Sequence, residues 1–160
     1  MTEATTVVRQ AAEGERLWFA GGGVFTMKAT AAETDGAFVL FEDRVEEGKT
    51  TPLHLHPDQD ETIYVLEGEI LVHFDGAEET VGEGGVFVAP RGLPHAFLVT
   101  SESARLLCLQ TPGTGELFYR DLSEPAEPGD ESRPPDLDRL RAVAERSETI
   151  ELLGPPPFAS

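Results

Sequence analysis

The sequence predicts an all-β barrel, and three observations carry that prediction. Between residues 36 and 112, short apolar runs of strand length follow one another at 37–45, 52–56, 62–67, 70–74, 86–89, 95–100 and 104–110. Turn residues separate them, among them Glu46-Glu47-Gly48, Glu67-Gly68-Glu69, Asp75-Gly76, Gly82-Glu83-Gly84-Gly85, Arg91-Gly92 and Ser101-Glu102-Ser103. Sixteen glycines and twelve prolines supply more chain reversals than a helical bundle uses. Short strands at such even spacing close into a barrel or sandwich.

The 160 residues suit one domain with appendages, in three zones. Zone one, residues 1–35, holds two strand-like runs, 17–19 and 24–28, broken by Gly21-Gly22-Gly23, and joins the barrel. Zone two, 36–112, is the barrel core. Zone three, 113–160, changes character. Residues 122–135 (LSEPAEPGDESRPP) read as an acidic, proline-rich surface linker. Asp136 then suits the N-cap of a short helix with Leu137, Leu140, Val143 and Ala144 on one stripe. Residues 150–158, with three consecutive prolines, are too stiff for a helix and read as extended.

Charge and composition exclude several function classes. Twelve basic against thirty acidic residues give a net charge of −18, which repels phosphate backbones and anionic lipid. Neither a nucleic-acid nor a membrane partner is expected. No run approaches the ~18 apolar residues of a transmembrane helix. The start MTEATTVVRQ lacks the pattern of a secretory signal, so a cytoplasmic protein is expected. The lone Cys108, in an apolar run, reads as a small buried hydrophobe.

Three of the four histidines fall in patterned segments. Residues 48–68 read GKTTPLHLHPDQDETIYVLEG, placing Gly48, His54, His56, Glu61 and Gly68 at set offsets. Residues 84–95 read GGVFVAPRGLPH and end on His95. On a strand, residues two apart share a face, so His54 and His56 project together. The loop 57–60 can bring Glu61 toward the same point, and His95 completes the set from another wall. Three imidazoles and one carboxylate suit one divalent transition metal, whether Ni, Fe, Mn, Co, Cu or Zn, rather than Ca or Mg. Four protein ligands on an octahedral ion leave two positions for a bidentate substrate or oxygen, whereas a closed tetrahedral zinc leaves none. Neutral imidazole is the binding form, so metal affinity falls below about pH 6.5. His73, Asp58 and Asp60 read as solvated strand and loop residues.

These two segments resemble the paired motifs of the cupin superfamily: glycine, H-x-H, glutamate and glycine in the first, and the fourth ligand closing the second. The chain carries Val99 where the family often has asparagine, at a position that is not a ligand. Gly14–Phe19, the loop 30–36 and the tail LLGPPPF at 152–158 resemble the small quercetin-dioxygenase-like members. This resemblance implies a double-stranded β-helix, His54, His56, Glu61 and His95 as metal ligands, and Glu61 as the acceptor of an enol proton. It implies oxygen-dependent cleavage of a flavonol-like or other enolisable small-molecule substrate.

Inward positions Phe38, Leu40, Ile63, Val65 and Phe97 are the candidate lining of the substrate pocket. Two other uses of the same ligands stay open: an isomerase, epimerase or cyclase acting on a sugar or polyketide-like substrate, and a non-catalytic cupin that binds a small molecule. Exposed β edges favour a homodimer.

Overall fold

The structure is a computed structural model describing residues 3–159. Chain order gives β1 (Arg16–Phe19), β2 (Val24–Ala29), β3 (Val39–Glu46), β4 (Leu53–Leu55), β5 (Asp60–Glu67), β6 (Ile70–Phe74), β7 (Ala77–Val81), β8 (Val86–Ala89), β9 (His95–Val99) and β10 (Ser103–Thr111). Helix α1 (Glu116–Asp121), β11 (Ser123–Pro125), helix α2 (Leu137–Glu145) and β12 (Glu151–Gly154) follow.

Two antiparallel sheets result, one of seven strands in the order β11-β1-β2-β3-β10-β5-β8 and one of five in the order β12-β4-β9-β6-β7. Period-two alternation decides which side chains fill the space between them. On β3 the buried set is Val39, Phe41, Asp43 and Val45; on β10 it is Ala104, Leu106, Cys108 and Gln110. Strand register joins them into rows: Val39, Gln110, Glu61 and Ala89 form one, and Phe41, Cys108, Ile63 and Phe87 the next. Asp43, Leu106 and Val65 form a third. On the facing sheet His54 pairs with His95, and His95 with Phe74. The polar site therefore sits at one level of a mainly apolar interior, with Asp43 as a buried charge two rows away.

The C-terminal zone departs from the linker expectation. Leu122 is fully buried, Ser123–Pro125 pair with β1, and the Arg133 guanidinium lies 3.6 Å from the centre of the Trp18 ring. An edge strand tolerates Pro125, whose missing N–H would break an inner ladder. Asp136 caps α2, its carboxylate accepting from the Arg139 N–H at 3.1 Å. Leu140, Val143 and Ala144 of α2 are buried, and the helix packs beside β12. No helix among the described residues is long and apolar enough to cross a membrane.

Gly68, between β5 and β6, has φ +86°, and a Cβ there would meet the Ser103 carbonyl oxygen at 2.3 Å. Gly76, at φ +74°, has nothing within 4 Å of its would-be Cβ. Left-handed backbone costs an L-residue ~1–2 kcal/mol, and each kcal/mol lowers the melting temperature of a chain this size by roughly 2–4 °C. Gly76→Ala is expected to cost about that much, and Gly68→Ala, with its backbone clash, at least about twice as much. Thermal unfolding followed by circular dichroism measures both, and equal shifts would discount the close approach.

Candidate metal centre

His54 comes from β4, His56 from the turn that follows, Glu61 from the start of β5, and His95 from the first position of β9. All four are buried. One donor atom from each lies within 4.8 Å of every other. The chain reversal at 57–60 turns Glu61 back onto the pair of histidines, as the spacing predicts.

Each imidazole is held from behind. His54 Nδ1 is 2.8 Å from the Pro52 carbonyl, His95 Nδ1 is 2.8 Å from the Leu93 carbonyl, and His56 Nδ1 is 3.0 Å from the Thr149 carbonyl. A carbonyl oxygen only accepts, so each Nδ1 carries the proton and each neutral ring turns its Nε2 lone pair inward. This is the tautomer that metal-ligating histidines adopt, and the backbone selects it here three times.

The inward atoms have few partners of their own. His95 Nε2 is buried with no hydrogen-bond partner. His56 Nε2 lies 2.8 Å from Glu61 Oε2, and His95 Nε2 lies 3.7 Å from Glu61 Oε1. Lone pairs so close need a proton or a cation between them. Donors about 2.1 Å from one ion stand ~3 to ~4 Å apart, so the residues present fit a divalent transition metal in spacing and in donor type.

Electrostatics agree. Burial works against the Glu61 carboxylate, yet His56 and His95 outweigh it and hold its pKa well below the usual range. Burial and the neighbouring imidazoles push His54 down to about 3, so its lone pair is free at any ordinary pH. For His95, burial is outweighed by Glu61, which raises the imidazole pKa. A proton and a metal therefore compete for the cluster, and acid favours the proton.

Beside the cluster lies an inner cavity of about 70 Å³, lined by Phe41, Ile63, Phe97, His54, Glu61 and others. Of the candidate pocket residues, Ile63 and Phe97 line this cavity. Phe38, Leu40 and Val65 do not line it. Leu40 sits on the outer phase of β3, Phe38 precedes that strand, and Val65 is packed in the core one row further on. His73 lies apart on β6, its Nδ1 3.8 Å from Glu78. Asp58 is exposed, and Asp60 turns outward to Arg91 at 3.1 Å.

Sequence reasoning missed Gln110, which donates from Nε2 to Glu61 Oε2 at 3.0 Å and to the Tyr119 oxygen at 2.7 Å. It missed Asp43 and Lys49 on the cavity wall as well. The available signal was parity: Gln110 continues the inward phase Ala104, Leu106, Cys108, and Asp43 the phase Val39, Phe41.

Single alanine substitutions of His54, His56 and His95 are each expected to abolish retention of stoichiometric metal, whereas His73→Ala keeps it. Elemental analysis of the four purified variants decides this, and retention in any of the first three would remove that residue from the ligand set.

Residues 41–110 match the family model described as Cupin domain. The chain is 29% identical over 124 residues to quercetin 2,3-dioxygenase of Bacillus subtilis (strain 168), covering 78% of this chain and 36% of that protein. It is 39% identical over 93 residues to germin-like protein subfamily 2 member 2 of Arabidopsis thaliana, covering 52% of this chain and 42% of that one. The chain spans less than half the length of either relative. An RmlC-like cupin from Shewanella frigidimarina NCIMB 400 superposes with a TM-score of 0.60 at 19% identity, over 72% of this chain and 96% of that one. KdgF from Halomonas sp. does so at 0.57 and 18%, over 72% and 99%. Both likenesses concern the fold alone. The double-sheet barrel is built around residues 41–110, and that segment is a cupin domain.

Proposed function

We propose that this cupin is a metal-dependent enzyme that acts with oxygen on a small enolisable carbonyl compound, with His54, His56, Glu61 and His95 holding one divalent transition metal. The observation that carries this reading is the placement of the Glu61 carboxylate, which faces the three imidazoles and a largely apolar cavity at once. A divalent cation bound there supplies the positive charge that stabilises an enolate oxygen.

The chain's own residues supply the rest. Glu61 Oε2 accepts from Gln110 Nε2, which leaves Oε1 as the freer oxygen to accept the enol proton. Gln110, anchored on Tyr119, keeps the carboxylate from rotating away. Phe41, Ile63 and Phe97 keep the reacting carbon dry. A cavity of about 70 Å³ suits a compact substrate; pockets for drug-sized ligands begin near ~300 Å³, so a three-ring flavonol enters only if the cap of the barrel moves. The likeness to a protein named quercetin 2,3-dioxygenase supports oxygen-dependent chemistry.

A second reading, an isomerase, epimerase or cyclase that uses the same ligands without oxygen, draws support from Asp43, Lys49 and Thr51 on the cavity wall. Two copies pairing through β8, where Val86, Val88 and neighbouring Tyr64 are exposed, is the assembly this reading carries.

The metal-loaded protein, offered β-diketones and flavonols in air and under nitrogen, is expected to consume oxygen in proportion to substrate. Glu61→Gln is expected to slow that uptake by at least about 100-fold. Substrate loss at equal rates in both atmospheres would transfer the assignment to the second reading. Sedimentation is expected to report a dimer, and Val88→Glu a monomer.

A further inference from the structure

The inner cavity has a second polar end that the ligand cluster does not use. Asp43 points inward from β3, is 95% buried by its 5% exposure, and its Oδ1 has no hydrogen-bond partner. Gly23 backs it closely, since a Cβ at that position would lie 2.7 Å from the same Oδ1. Lys49 enters the cavity from the segment before β4; its ammonium donates to the Gly21 carbonyl and lies 5.6 Å from the centre of the Phe19 ring. No carboxylate oxygen among the described residues comes within 4.0 Å of it. Asp43 and Lys49 line the same cavity as His54 and Glu61, with Phe41, Ile63 and Phe97 among the walls they share.

A buried carboxylate and an ammonium that face one space without touching leave an acceptor and a donor to be satisfied together. Ligand groups differ sharply in how they meet that demand. A carboxylate satisfies Lys49 and repels Asp43, an amine does the reverse, and a methyl group serves neither. A hydroxyl accepts from one and donates to the other. We infer that Asp43 and Lys49 recognise a hydroxyl at the far end of the substrate from its metal-chelating group, which makes the substrate a small hydroxylated, enolisable carbonyl compound. This rests on the reading of His54, His56, Glu61 and His95 as metal ligands. Burial raises the Asp43 carboxyl, against the pull of Lys49, and lowers the Lys49 ammonium, against the pull of Asp43. Each charge thus offsets part of the other's burial, and a neutral guest leaves that balance undisturbed.

The test compares two chelators that differ by that single group. Kojic acid carries a distal hydroxymethyl where allomaltol carries a methyl, and both chelate through the same hydroxy-ketone. Isothermal titration of the full-length protein loaded with Co²⁺ is expected to show kojic acid binding at least about tenfold more tightly, the preference that hydrogen bonds to charged groups supply. Asp43→Leu and Lys49→Met are each expected to bring the ratio near one, with cobalt content and allomaltol affinity unchanged. Equal affinities in the parent protein, or a ratio that survives both substitutions, would overturn the assignment while leaving the metal centre standing. Failure to take up Co²⁺ at all would overturn both.

Discussion

Three hydrogen bonds from imidazole Nδ1 to backbone carbonyls govern the geometry of the site. Without them each buried ring would have two orientations and two tautomers open to it, and the cluster of lone pairs would not converge. Two of the acceptors are local: Pro52 and Leu93 each lie two residues before the histidine they hold. Their carbonyls are set by the strand that carries the ring. The third is remote, since the Thr149 carbonyl reaches His56 from a segment 93 residues away. Partners of this kind tune metal affinity by ~10–100-fold elsewhere, so the metal centre here depends on a C-terminal element that contributes no ligand.

An apolar row, Phe41, Cys108, Ile63 and Phe87, separates this polar level from Asp43. Phe25 stacks 4.7 Å from Phe19 and lies 4.5 Å from Phe41, while Tyr119 stands 5.3 Å from Phe41. Such aromatic contacts favour offset and tilted geometry, and here all four rings line the cavity. Tyr119 belongs to both worlds, its ring in the aromatic cluster and its oxygen accepting from Gln110. Through that one side chain the packing of α1 reaches the Glu61 carboxylate.

Much of this was legible in the sequence, and the losses have physical reasons. The strands that bury one face announce themselves by alternation, and the glycines at 48, 68, 84 and 92 all adopt positive φ, as turn residues between strands should. The four ligands were legible because their spacing obeys strand geometry. By contrast β7 (AEETV) is almost wholly exposed and carries no alternation; only the Asp75-Gly76 turn before it, with φ of +50° and +74°, marks a hairpin. Around the start of β3 both phases are apolar, Phe38 and Leu40 against Val39 and Phe41, and the inward phase then carries an aspartate. Register against β10 settles the parity, and register is a tertiary property. The acidic segment around Ser123 looks like a linker because what fixes it, pairing with β1 and the docking of Arg133 on Trp18, lies more than a hundred residues earlier in the chain.

The C-terminal segment joins two roles that are usually separate. Ile150, Leu140 of α2 and Leu152 of β12 line both the inner cavity and an outer groove of about 1220 Å³. Thr149, adjacent to Ile150, holds His56 in its ligating tautomer. Residues 149–152 therefore serve two ends at once: the Thr149 carbonyl fixes the tautomer of His56, and the residues that follow it line the cavity beside the cluster. On the proposed reading, any displacement of this stretch that widened the cavity would also withdraw the acceptor from His56 Nδ1, so substrate size and ligand geometry would be coupled through one stretch of backbone.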